Sequence, residues 1–424
     1  MNSSMPLISK RSLFGLDGLN FAMADVRDGV GPFLSVYLKG SQNWPAGQIG
    51  IAMAVGSVAA AFCQIPAGLI VDSIRAKHVL VAVSGILVAA GCLSIALFPG
   101  FYFVVTAQII LGAASAIITP ALAALSLGIV GRKLFPARIS RNEGFNHGGN
   151  FIAALLAGTL GQRFGYHWIF YFVCFFAMAG ALMVSMICPR EINHEVARGG
   201  EEEDSLSQRA KLGRDRKEEP LRIRELLRKA DLLIFLVSVI LFHFGNAAML
   251  PMAGQVLVRT HPGADISALS ACIISAQLVM VGVAAVVGWA LRRGIGKKTI
   301  FLVAFAILPV RGILFSFTDS PILVVAIQML DGVAAGIFGV ISVVIAADLM
   351  RGTGRFNFAQ GLVALSTGLG AGLSNFATGF IVQAFGYPAG FLTLSAIAIA
   401  ALMFFMLFMP KTELVAGAAA VVID

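Results

Sequence analysis

Three ionised residues, Asp25, Arg27 and Asp28, stand within four positions of one another inside an otherwise apolar stretch, in the segment ADVRDGVGPF. Each charge at the centre of a bilayer costs about 2.5–3.5 kcal/mol on insertion scales, so a chain that keeps three there has a use for them. On a helix, Asp25 and Asp28 are three apart and share a face, while Arg27 points away from Asp25. A carboxylate pair reachable from water can carry protons or contact a solute. The competing reading is a salt-bridge cluster tying Arg27 to an acid on a neighbouring helix. Gly29, Gly31 and Pro32 follow, which lets the helix loosen and free backbone groups for a ligand.

Other polar residues interrupt apolar runs at helical spacing. Glu143, His147 and Asn150 recur at i, i+4 and i+7, a stripe too polar to face lipid. Glu143 lies near a run's end, where pairing with Arg138 or Arg141 is expected. An imidazole such as that of His147 suits either proton transfer or helix packing. His243 and Asn246 precede Pro251, and aligning Pro251 on Pro32 puts Asn246 at the level of Arg27. Gln277 is a further cavity candidate. Arg311 and Asp331 fall at matching depths on consecutive runs and are expected to form a structural ion pair. No metal-ligand cluster or nucleophile–base pair is present, and GTGRFN lacks the Walker spacing, so no cofactor, ATP hydrolysis or enzymatic activity is expected.

The elements that position these residues follow from composition. The 424 residues are 58% hydrophobic and 12% charged, with a mean hydropathy of +0.88, so lipid must be the solvent. A span needs about 20 apolar residues. Twelve runs qualify, at 12–38, 48–71, 78–98, 101–130, 142–161, 167–188, 231–257, 267–291, 299–317, 321–349, 359–383 and 387–409. The fold class is an all-α membrane protein. Its expected units are an N-terminal six-helix bundle at 1–188, a charged linker at 189–230 and a C-terminal six-helix bundle at 231–424. Within the linker, PLRIRELLRK is expected to form a short interfacial helix. Five cysteines fit no zinc spacing and read as packing residues, and the first apolar run is too long for a signal-peptide core.

The net charge of +9 is explained by placement. Twenty-six of the 31 Lys and Arg fall on one side of the alternating runs and three on the other, which puts both termini in the cytoplasm and leaves no nucleic-acid footprint. The halves are also related: Pro32 and Pro251, Gly68 and Gly288, Lys77 and Lys297, and QRFGY and QAFGY all match at an offset near 220. Duplicated bundles of parallel orientation are a design for alternating access.

One loop is more specific. GLIVDSIRAK places Gly68, Asp72, Arg75 and Lys77 at the spacing Gly-x-x-x-Asp-x-x-Arg-x-Lys, and GWALRRGIGKK is its weaker copy. With this motif, the chain resembles the major facilitator superfamily over 12–409. The resemblance implies two pseudo-symmetric bundles of that fold and a cytoplasmic gate of Gly68, Asp72, Arg75 and Lys77, with Glu143 added. Gly68 is expected to permit close helix approach and Asp72 to face a helix N-terminus. Two motifs depart from the family pattern: QIILG lacks the Arg of the fourth span, and GFNHGG has Gly149 where the antiporter motif has Pro. The expected function is secondary active transport of a small organic solute, coupled to protons. The cavity is expected between spans 1, 4, 5, 7, 8, 10 and 11, with Asp25 or Asp28 carrying the proton. An uncoupled facilitator and a transporter-derived solute sensor are the alternatives. A monomer in lipid, in the bacterial inner membrane, is implied.

Overall fold

In the computed structural model, residues 8–28, 30–197, 223–226, 228–350 and 356–410 are described. The first half contains α1 (Lys10–Asp28), α2 (Phe33–Gly40), α3 (Ala46–Ser73), α4 (Lys77–Leu97), α5 (Phe101–Leu156), α6 (Gln162–Phe164) and α7 (His167–Ser185). Short helices α8 (His194–Ala197) and α9 (Ile223–Leu226) follow. The second half contains α10 (Ala230–Asn246), α11 (Met249–Thr260), α12 (Asp265–Arg292), α13 (Lys297–Ser316), α14 (Pro321–Leu349), α15 (Phe356–Phe385) and α16 (Tyr387–Phe408). No strand occurs among the described residues.

Nine helices among the described residues are long and apolar enough to cross a membrane. The three expected runs outside that set are also helical, and they are the ones interrupted by polar residues: α1 with Asp17, Asp25 and Arg27, the end of α5 with Glu143 and His147, and the Ser- and Asn-bearing α15. Runs four and five follow one another in α5 as two helices that meet at non-helical backbone at Gly131, where φ is 72°. That positive φ suits a residue without a Cβ, and it separates two helices, one for each run, that meet at a kink. The linker segment 198–222 lies outside the described residues. Of the expected interfacial helix, Ile223–Leu226 is helical.

The helices alternate in direction. We call the ends bearing Lys10, Lys77, Arg141, Lys297 and Phe408 basal, and those bearing Gly40, Phe101, Thr260 and Phe385 distal. Lys298 at the start of α13 donates to the carbonyl of Met409 beyond α16, joining basal ends. Trp44 packs on Phe101 at 5.7 Å between ring centres, joining distal ones. Within the first half α3, α4 and α1 pack on α5, and α7 packs on α1 and α4; in the second half α12 packs on α14, α13 on α16 and α10 on α15. Large apolar side chains such as Tyr102, Phe317 and Ile322 face outward, as lipid requires.

The halves meet chiefly along α3 and α15 and at their distal ends. The Ser35 hydroxyl on α2 donates to the Pro251 carbonyl on α11 at 3.1 Å. Gly47 N–H donates to Gln383 Oε1 at 3.0 Å. Gln162 Nε2 donates to the Gly263 carbonyl at 2.7 Å, and Ser267 N–H returns a bond to Gln162 Oε1 at 3.0 Å. Tyr166 donates to Asp265, a carboxylate 2% exposed. At the α3–α15 seam a Cβ on Gly50 would stand 2.9 Å from the Gly379 Cα, so only glycine permits this approach. At the basal ends, by contrast, a Cβ on Gly68, Gly144, Gly339 or Gly361 would meet nothing within 4 Å. The distal side is closed.

Candidate functional site

The first span breaks where the sequence supplies Gly31 and Pro32. Gly31 takes φ 45°, and α2 restarts at Phe33. Its counterpart breaks between α10 and α11, with Pro251 in the first turn of α11, where a missing N–H costs least. Beside these breaks lies a chamber of about 480 Å³ lined by residues of both halves, including Arg27, Pro32, Gln108, Asn246, Pro251, Arg311, Asp331 and Asn375. A second chamber of about 220 Å³ is lined by Asp25, Asn150, Gln277, Gln328 and Asp331. Val30, Gly31, Pro32, Leu250 and Asp331 line both.

Arg311 and Asp331 form the expected pair at 2.7 Å, with Arg311 1% exposed. The pair belongs to a larger cluster. Arg311 Nη1 also donates to Asn246 Oδ1, and Nη2 donates to Gln328 Oε1 at 2.9 Å. Asn246 Nδ2 and Gln328 Nε2 in turn donate to the Asp331 carboxylate at 3.2 and 2.9 Å. Every Asp331 oxygen is thus held by a donor, and both charges border the chamber rather than lipid. Span nine, left out of the expected cavity, therefore contributes a cavity residue, and so do spans two and three, also left out, through Ser57 and Val88.

Among the other expected residues, Asp25, Arg27, Asn150, Asn246 and Gln277 line the chambers. Asp28 closes α1, and its side chain lies outside the described residues. His147 Nδ1–H donates to Gln277 Oε1 at 2.9 Å, linking α5 of one half to α12 of the other. His243 lies elsewhere. It is packed edge-on against Phe338 at 4.7 Å and Phe242 at 5.4 Å, and its Nε2 has no hydrogen-bond partner among the described residues. The β-carbon of His243 also sits close to Gly370, which fixes α10 against α15.

The motif loop is not gathered into a cluster. Asp72 and Arg75 are exposed, and Gly68 has open space rather than a helix against it, because the basal ends stand apart while the distal ends are packed. Lys77 is buried and donates to the carbonyls of Val71 at 2.5 Å and Ile74 at 3.3 Å, capping the end of α3. Glu143 is exposed and accepts from Asn146 at 3.5 Å. Its expected partners are taken by Asp17, which pairs with Arg138 and Arg141, each at 2.7 Å. Asp17 is 7% exposed, lies inside the first run and escaped the sequence reading; an acid eleven residues before Asp28, and so on one helix face with it, was the available signal. Gly149, standing where the motif has Pro, rests on α1: a Cβ there would stand 2.1 Å from the Phe21 carbonyl.

The Major Facilitator Superfamily profile matches residues 16–310 and 235–420. An uncharacterized MFS-type transporter of Mycobacterium tuberculosis (strain CDC 1551 / Oshkosh) is 40% identical over 417 residues, 97% of this chain and 96% of its own. Its counterpart in strain ATCC 25618 / H37Rv matches equally. Among solved structures, a variant of the nucleoside transporter NupG is similar with a TM-score of 0.74 at 15% identity, over 95% of this chain and 100% of that one. The peptide transporter POT in complex with sulfate gives 0.72 at 16% identity, over 93% and 94%. At such identities these two bear on the fold alone. The chain belongs to the major facilitator superfamily, as a multi-pass membrane transporter rather than an enzyme.

Proposed function

We propose that the protein is a secondary active transporter that moves a small, polar organic solute by alternating access, coupled to protons. The observation that carries this reading is the mid-depth chamber lined by both halves and bordered by Arg27, Arg311 and Asp331, with a distal side closed by contacts between the halves. Ionised side chains at that depth need water or solute beside them. The basal side, rich in Lys and Arg, faces the cytoplasm of a bacterial inner membrane, so the described conformation is the inward-facing one. Asp25 or Asp28 takes up the proton, and the Gly68–Lys77 loop with Glu143 closes the basal side when the distal side opens. It acts as a monomer, with lipid as its surroundings.

Reconstitution tests the proposal. Purified protein in liposomes exchanges labelled nucleosides or dipeptides across the bilayer, and an imposed pH gradient drives net accumulation of the cargo. Flux that ignores the gradient identifies an uncoupled facilitator. Tight solute binding without any flux refutes transport altogether.

A further inference from the structure

We propose that Gln108 is the specificity-determining residue of the larger chamber, and that the solute presents to it a carboxamide-type edge, an N–H beside a C=O, on a partly apolar body; the proposal rests on the transporter reading above. The two halves build the same frame and fill it differently. At an offset of 220, Gln108, Leu111 and Gly112 correspond to Gln328, Asp331 and Gly332, while Gly56 and Gly91 correspond to Ala276 and Arg311. The packing obeys this correspondence. A Cβ on Gly112 would collide with the Gly56 carbonyl, and one on Gly332 would stand 2.6 Å from the Ala276 carbonyl.

In the second half Arg311 pairs with Asp331, and Gln328 serves both, accepting from Arg311 and donating to Asp331. In the first half Gly91 and Leu111 stand in place of that pair and are again neighbours, since a Cβ on Gly91 would stand 3.0 Å from Leu111 Cδ2. Gln108 therefore lacks both partners that its counterpart holds. Its side chain lies over α3 instead. A Cβ on Gly56 would collide with Gln108 Oε1, and the three atoms nearest to it all belong to the Gln108 side chain. The amide thus uses the room that a methyl takes in the second half, where the matching residue is Ala276.

Gln108 and Gly56 both line the larger chamber, and the other uncharged polar side chains of that lining are engaged. Ser57 and Ser115 donate to carbonyls of their own helices, Asn375 donates to the Ala371 carbonyl, and Asn246 is held between Arg311 and Asp331. The Gln108 side chain makes no hydrogen bond among the described residues. A primary carboxamide offers two donors and an acceptor. A solute with an N–H beside a C=O meets both kinds at once, whereas one without them strands the amide, and sites of this type discriminate chiefly by that stranding. Met53, Val88 and Leu111 line the same chamber and give the rest of the solute an apolar surface.

The test uses the full chain in nanodiscs and reads direct binding and ligand-dependent thermal stabilisation. The probes are benzamide, hexanamide and δ-valerolactam, each beside the fully N-methylated form that has no N–H. Each N–H probe is expected to bind about tenfold more tightly than its methylated partner. Gln108→Leu erases that preference while the apolar bodies still bind. Gly56→Ala, whose new methyl meets the Gln108 side chain alone, displaces the amide and erases it too, so the test stands even if Gln108→Leu fails to fold. A preference kept in the folded variants, no preference in the parent, or no member of the panel binding overturns the assignment. Liposome flux of the same labelled probes tests transport separately. Flux without the N–H preference leaves transport standing and removes the role of Gln108, whereas the preference in binding without any flux keeps that role and removes transport.

Discussion

Removing either partner of the Arg311–Asp331 pair has unequal consequences, because the two charges are unequally shielded. Asp331→Ala leaves a cation whose side chain is 1% exposed, facing the Asn246 and Gln328 amide oxygens and the Phe315 ring but no other carboxylate among the described residues. Arg311→Ala leaves a carboxylate that is 20% exposed, keeps its bonds from Asn246 and Gln328, and borders a chamber that water can fill. Breaking a buried pair costs about 3–5 kcal/mol, while replacing both members by apolar groups of similar size is often close to neutral. Asp331→Ala is therefore placed at the upper end of that range, Arg311→Ala at or below the lower end, and Arg311→Met with Asp331→Leu near the parent. For a unit of 150–250 residues, 1 kcal/mol shifts the melting temperature by about 2–4 °C, so Asp331→Ala lowers it by roughly 10–20 °C. Thermal unfolding of detergent-purified protein, followed by size-exclusion of the surviving fraction, reads the order. A double variant as unstable as Asp331→Ala refutes the reasoning, and so does an inverted order of the single variants.

Asp25→Asn and Asp28→Asn are expected to abolish gradient-driven accumulation at near-normal expression; counterflow and accumulation assays in liposomes separate the two. His243→Leu should change stability by less than about 1.5 kcal/mol and leave flux intact, since the side chain is buried among phenylalanines with an unpartnered Nε2; thermal melts and transport check it. Tyr166→Phe leaves Asp265 without its phenol donor and weakens the distal-closed form by about 1.5–3 kcal/mol, a tenfold or greater population shift. Gly50→Leu drives a side chain into the Asn375 carbonyl and Gly379 and prevents distal closure. In a cysteine-free background, either change raises labelling of Ser57→Cys by an impermeant maleimide added from the distal side.

Much of the architecture was legible because hydropathy in a membrane protein reports the solvent directly: apolar runs and the positions of Gly31 and Pro32 predict the helices and the first break. Arg311 and Asp331 could be paired from depth alone, because two intramembrane charges of opposite sign have few other places to go. Partner choice among loop charges was not legible. Arg138 and Arg141 had a near neighbour in Glu143, but folding brings Asp17 to them from more than a hundred residues away. Sequence spacing also gave Gly68 a close-packing role that depends on which side of the molecule is closed, and here nothing stands against it. The kink that separates runs four and five turns on a single residue of positive φ, Gly131, which a hydropathy window averages away.

The glycines shared between α3 and α15 also bear on motion. Gly50, Gly368, Gly372 and Gly379 meet backbone atoms or the short side chains of Ala61 and Val58 on the facing helix rather than long side chains. Meshed side chains act as gear teeth, and a rotation must disengage them one by one. Smooth backbones in contact behave instead as a journal in its bearing, resisting separation while offering little friction to rolling. In the proposed alternating access, the joint that binds the halves most extensively is thus also the one about which turning costs least.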